Sequence, residues 1–176
     1  KNVAIGNYSL DALTSGDNNT GVGYDALTSN TTGSQNSASG QESLYSNTTG
    51  TGNTASGYQS LYYNTDGNYN TASGYISLLR NTTGRDNTTA GYGSLRSNTV
   101  GSYNTAIGAE ALYDANRTAD ANAYNTALGY KAGNTGTNDI TTGDKNVLLG
   151  ASTAASQATA TNQVVIGYGA TGHGDN

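Results

Sequence analysis

The sequence predicts an all-β fold, a parallel β-solenoid or β-roll of about ten 17-residue coils stacked into a rod. Three observations predict it. A glycine closing an Asn-x-x-x-Gly segment recurs nine times along 176 residues, and a tenth time with Gln in place of Asn. Each recurrence brings the same companions at the same offsets. The composition leaves little material for a conventional globule: Gly, Asn and Thr make 75 of 176 residues, whereas Leu, Ile and Val make 23, with no Phe, Trp, Met, Cys or Pro.

The repeat defines the elements in order. The turn glycines are Gly6, Gly23, Gly40, Gly57, Gly74, Gly91, Gly108, Gly129, Gly150 and Gly167, spaced by 17 six times, then by 21, 21 and 17. Four residues before nine of them stands an asparagine, from Asn2 to Asn146, and Gln163 takes the tenth place. Four residues after the first seven comes a leucine: Leu10, Leu27, Leu44, Leu61, Leu78, Leu95 and Leu112. A second glycine follows an Asn-Thr-Thr lead-in, as at Asn30-Thr31-Thr32-Gly33. The consensus is N-T-A-x-G-Y-x-S-L-x-x-N-T-T-G-x-x.

Such short units are too small for helix pairs, and their Asn and Gly disfavour helix. Thr suits strands. Two short strands per repeat are expected, near Asn-Thr-Ala-x-Gly and near Ser-Leu-x-x-Asn-Thr, with turns at the glycines. Coils stacked about 4.8 Å apart would set like on like: Asn, Thr, Leu and Tyr ladders along a rod of roughly 50 Å. Residues 1–112 form the regular part, and 113–176 continue it with two lengthened coils.

The leucine ladder is the expected core, joined by the alanine of each strand and by the residue before the first glycine, which runs from Ile5 and Val22 through serines to Leu149 and Ile166. One chain offers little apolar area against the entropy of ordering. A core shared among chains is therefore expected, with an intertwined homotrimer as the closed symmetric arrangement.

The phrases Asn2-Val3-Ala4-Ile5-Gly6, Asn104-Thr105-Ala106-Ile107-Gly108 and Asn125-Thr126-Ala127-Leu128-Gly129 resemble the head repeats of trimeric autotransporter adhesins. Gly57-Tyr58-Gln59-Ser60-Leu61-Tyr62-Tyr63-Asn64-Thr65 is similar to repeats of phage and prophage tail fibres. The period of 17 is longer than that of the adhesin heads. The resemblance spans nearly the whole chain and implies an extracellular structural protein, the shaft or head of a virion tail fibre or of an adhesin on a bacterial surface. It implies self-association as a homotrimer and contact with a cell-surface glycan or receptor. The pattern runs to both termini, which reads as an excerpt of a longer fibre.

Charge and composition argue against other classes. A net charge of −5 with seven Lys and Arg disfavours nucleic acid. No apolar run approaches the ~20 residues of a membrane span, so no membrane insertion is expected, and no basic stretch leads into a signal-peptide core. There is no thiolate for a metal site and no calcium-loop motif, so neither metal nor other cofactor is expected. An enzyme is not expected either: the single histidine, His173, sits in a Gly-rich tail, and Glu42 and Glu110 lie four repeats apart.

Three features are candidates for facing a partner. The tyrosines Tyr24, Tyr58, Tyr75, Tyr92 and Tyr130 recur at coil spacing and suit stacking on sugar rings. The lengthened coils place Asp114, Arg117, Asp120 and Asp139 in segments that leave the solenoid as loops. The threonines Thr20, Thr54, Thr71, Thr88, Thr105 and Thr126, with Ser37, form a ladder of the kind found on ice-binding solenoids, and a β-solenoid antifreeze protein is the alternative reading.

Overall fold

A computed structural model describes residues 1–116, 122–136 and 139–174. Its described residues contain no helix. Ten three-residue strands follow one another: β1 (Val3–Ile5), β2 (Thr20–Val22), β3 (Ser37–Ser39), β4 (Thr54–Ser56), β5 (Thr71–Ser73), β6 (Thr88–Ala90), β7 (Thr105–Ile107), β8 (Thr126–Leu128), β9 (Val147–Leu149) and β10 (Val164–Ile166). They pair in chain order as one parallel sheet. The register steps by one repeat, Thr54 on Thr71 and Thr71 on Thr88. It survives both lengthened coils, with Thr105 on Thr126 and Thr126 on Val147. This is the β-solenoid that the repeat predicts.

Each coil has one strand, where two were expected. The Ser-Leu-x-x-Asn-Thr segment bonds coil to coil, as in Leu27 N–H to Ser43 carbonyl (3.0 Å) and Thr31 N–H to Thr48 carbonyl (3.0 Å), yet it is built of turns. The reason lies in its corners. All seven ladder leucines have a left-handed backbone, with φ from 50° to 55°. A strand cannot pass through that conformation. Further left-handed corners fall two residues after the turn glycine, as at Gln59 (φ 51°), and just before the ladder asparagine, as at Tyr69 (φ 57°).

The turn glycine is required twice over. Gly57 has φ 130°, outside the range of an L side chain, and a Cβ there would lie 2.5 Å from the carbonyl oxygen of Gly74. The same close approach repeats up the column, so the glycines are the places where successive backbones touch.

The lumen is filled from one chain. Leu27, Leu44, Leu61, Leu78, Leu95 and Leu112 are wholly buried, as are the strand-centre alanines Ala38, Ala55, Ala72, Ala106 and Ala127; Ala4, in the first coil, is exposed. The core that holds the leucines closes within a single chain, contrary to the expectation of one shared between chains. Two buried asparagine columns make this possible by occupying lumen that apolar side chains would otherwise fill. In the first, Asn70 Nδ2 donates to Asn53 Oδ1 (3.2 Å) and to the Gly84 carbonyl (2.8 Å), and the Asn87 N–H donates to Asn70 Oδ1 (3.1 Å). In the second, Asn64 Nδ2 donates to Asn47 Oδ1 and Asn81 Nδ2 to Asn64 Oδ1, each at 2.8 Å. Buried amides bonded on every side carry little desolvation penalty.

The residue before the turn glycine does not enter this core. Strand side chains alternate in direction, so an inward alanine sends both its neighbours outward. Ile5, Leu128 and Ile166 are accordingly 60%, 48% and 67% exposed.

Candidate binding surface

The outer face of the sheet carries two columns. One runs Val3, Thr20, Ser37, Thr54, Thr71, Thr88, Thr105, Thr126, Val147, Val164, and holds the predicted threonine ladder. The other runs from Ile5 to Ile166 through Ser39, Ser56 and Ser73. The face is apolar at both ends and small and hydroxylated in the middle. Ordinary strand alternation puts it there, since the lumen accepts only the central residue of each triplet.

The tyrosine column lies just past the turn glycines. Tyr58, Tyr75 and Tyr92 form a continuous stack, with ring centroids 5.1 and 5.7 Å apart and planes within 19° and 12° of parallel. Tyr24 meets Tyr8 edge to face at 5.9 Å, and Tyr130 lies under the Lys131 ammonium at 5.5 Å. Stacked rings offer their edges, so the ring faces within this column are largely spent on each other. The neighbouring Asp25 carboxylate raises the Tyr24 hydroxyl pKa, with burial adding to it.

Near the lengthened coils, the chain gathers Tyr92, Glu110, Tyr113, Asp114, Lys131 and Asp139 around a cavity of about 370 Å³. Three predicted residues, Tyr92, Asp114 and Asp139, thus meet in one place. Lys131 Nζ sits 3.4 Å from Glu110 Oε2, and that carboxylate, followed by Tyr130, holds the lysine pKa above its ordinary value. Asp139 is not available to a ligand in the same way as Asp114. Its carboxylate accepts the backbone N–H of Gly136 at 2.8 Å and that of Thr135, tying down the loop it belongs to. Arg117 and Asp120 lie outside the described residues. His173 is exposed on the Gly-rich end. No group of three or more metal-ligating side chains occurs among the described residues, and no described helix is long and apolar enough to cross a membrane.

A larger cavity, of about 540 Å³, was not anticipated from the sequence; Tyr63, Leu79, Arg80 and Arg96 are among the residues that line it. Its signal is a break in the column one residue past the ladder leucine: Tyr45, Tyr62, Leu79, Arg96, Tyr113. Where tyrosine continues, the rings stack, Tyr45 on Tyr62 at 4.8 Å and 2°. Where it lapses, the surface opens.

No protein-family model, no curated protein and no solved structure matches this chain.

Proposed function

We propose that this chain is a structural fibre module, the shaft or head of a phage tail fibre or of a bacterial surface adhesin, which self-associates and presents contacts to a cell-surface glycan or receptor. The observation that carries the reading is the outer sheet face. A chain this polar leaves Val3, Ile5, Ile107, Leu128, Val164 and Ile166 uncovered in two columns, from 39% to 67% exposed. At the C-terminal end the column Ile107, Leu128, Leu149, Ile166 is unbroken, and contiguous exposed apolar surface marks an interaction site. Its in-register columns suit a second copy of the same face, and a homotrimer closes such contacts around one axis. Parallel stacking gives reach along the rod, and repetition gives many weak contacts that add by avidity.

The experiment is the solution mass of the 176-residue chain by light scattering, with Leu128→Asp as the companion variant. Three chains for the native sequence, and a smaller folded species for the variant, support the reading. A folded native monomer would sink it.

A second reading rests on the middle of the same face. Thr54, Thr71, Thr88, Thr105 and Thr126 stand in strict parallel register. A regular hydroxyl-and-methyl array on a flat sheet is the surface an ice-binding solenoid needs. Thermal hysteresis by a monomer, abolished by Thr71→Tyr, selects this reading over the fibre.

A further inference from the structure

We propose that the cavity between Arg80 and Arg96 is a binding site for a sugar residue that bears a carboxylate. The inference rests on the fibre reading only for why a surface glycan would be met; the site itself is argued from its own chemistry.

The cavity exists because the sequence departs from its repeat. Tyr62 continues the stack begun by Tyr45 and also meets Tyr63 edge to face at 4.7 Å. One coil on, Leu79 replaces the ring and forms a shorter, buried floor. One coil further, Arg96 replaces it, with its guanidinium 5.3 Å from the Tyr113 ring centroid. Two missing rings leave about 540 Å³, within the range of small-ligand sites.

Two cationic side chains meet there. The chain has only four arginines. Two of them line this cavity from adjacent coils, with the Arg80 N–H bonded to the Arg96 carbonyl at 3.1 Å. Neither guanidinium has a carboxylate partner among the described residues, in a chain whose net charge is −5. Moreover, Arg96 Nε is buried and makes no hydrogen bond; it is the one such side-chain atom among the described residues. A buried N–H without an acceptor is destabilising and calls for a partner. A carboxylate supplies one, because the guanidinium edge donates two parallel N–H bonds to its two oxygens.

The remaining lining selects a sugar over a bare anion. Tyr63 is half exposed and presents an aromatic surface beside the arginines, suited to the C–H face of a pyranose. Thr65 and Thr82 also line the cavity. Their hydroxyls donate along the rod, to the carbonyls of Thr82 (3.2 Å) and Thr99 (3.0 Å), so their lone pairs remain to accept from sugar hydroxyls. Asp66, beside Thr65 in sequence, already accepts the Thr49 hydroxyl at 2.7 Å.

The test is calorimetric titration of the intact 176-residue chain with glucuronic acid, N-acetylneuraminic acid, glucose and sodium acetate at matched ionic strength. Two variants accompany it. Arg96→Gln removes the charge and keeps the stem, and Leu79→Tyr restores the ring column and fills the cavity. Circular dichroism melts check that both fold. At least one acidic sugar is expected to bind roughly tenfold more tightly than glucose or acetate, and each variant to lose about tenfold. Which acid binds identifies the source of the carboxylate. Equal binding of glucose, equal binding of acetate, no saturable binding of either acid, or binding indifferent to Arg96→Gln each overturns the proposal. The solution mass decides the fibre reading separately: a monomer that binds glucuronic acid would end that reading and leave the site standing.

Discussion

Ile140 fills the space that Gly133 leaves in the leucine column. Gly133 stands one residue after Ala132, where earlier coils have their leucine, and its backbone keeps the left-handed corner at φ 72°. Ile140 donates its N–H to the Gly133 carbonyl at 3.0 Å and is wholly buried. Its Cγ1 lies 3.7 Å from where a Gly133 side chain would begin, with Leu112 and Leu148 nearer still. The lengthened coil therefore returns a core side chain from its own loop. The final coils use the same exchange: Ala154 sits in the leucine slot, while the strand centres change from alanine to Leu148 and Val165. Volume is conserved while its source moves, which cores tolerate well. Ile140→Ala should lower stability by about 2 to 4 kcal/mol, read as a fall in the denaturant midpoint at constant slope. Thr141→Ala, one residue on and partly exposed, should change it little. Equal effects at the two positions would remove Ile140 from the core.

Leu61 and Ile76 share a backbone and differ in burial, which makes them a matched pair. Both are left-handed, Leu61 at φ 52° and Ile76 at φ 49°. For an L side chain this conformation is unfavourable by roughly 1 kcal/mol, and for β-branched Ile76 the more so. At Leu61 full burial outweighs the strain. At Ile76 the side chain is only partly covered. Ile76→Asn should therefore raise the melting temperature, since asparagine tolerates this region. Leu61→Asp should break the solenoid locally by placing a charge in the lumen. An unchanged melt for Leu61→Asp would refute the lumen assignment of the leucine column.

These corners also show how far the sequence could be read. The strand triplets, their parallel register and the stacking of like residues were legible, because a fixed period forces each residue onto its equivalent. The inward alanine and leucine followed from the same rule. The second strand is not legible because Ser-Leu-x-x-Asn-Thr has a strand-like composition, whereas the backbone sign at Leu61 is dictated by closing a coil in 17 residues. The residue before each turn glycine was assigned inward from its apolar character at the ends of the chain, though period-two alternation about Ala55 or Ala72 already sends it out. Tyr92, Asp114 and Asp139 were identified individually, and the structure brings them to one cavity. The arginine cavity was hidden because attention to what recurs passes over the two coils that depart from it.

Alkaline pH should destabilise the fold. Burial, then the Glu42 carboxylate, raises the Tyr62 hydroxyl pKa, and Asp25 does the same for Tyr24. Glu110 raises that of Lys131. All three hold their protons more tightly folded than unfolded. Their contribution is complete below the unfolded values, which begin at 10.0 for tyrosine, and is lost as pH rises through the folded ones. Melting temperatures should be level from pH 7 to about 9 and fall above about 10. Tyr62→Phe should soften the fall, because the Tyr62 ring is stacked on Tyr45 and its hydroxyl, unlike that of Tyr24, is raised first by burial. A Tyr62→Phe curve that parallels the native one through pH 11 would show that this hydroxyl is not coupled to folding.

The asparagine columns predict a dependence on position along the rod. Asn70 lies mid-rod, and its Oδ1 accepts both the Asn87 backbone N–H (3.1 Å) and Asn87 Nδ2 (3.0 Å). Asn70→Leu keeps the volume and removes that acceptor. The Asn87 side chain retains its bond to the Gly101 carbonyl at 3.0 Å, but its backbone N–H is left buried with no partner. The Gly84 carbonyl keeps Asn81 Nδ2 at 2.9 Å, so the orphaned donor dominates the cost, about 1–3 kcal/mol. Asn2 makes the equivalent bond to the Asn19 N–H at 2.8 Å, but Asn2 is exposed in the first coil, where water can replace it. Asn2→Leu should thus cost well under half as much. Hydrogen exchange locates the effect: the Asn87 amide should exchange faster in Asn70→Leu, while amides two coils away keep their protection. A uniform loss of protection along the rod would mean that the column acts as one cooperative unit, and that bonds between adjacent coils do not set local stability.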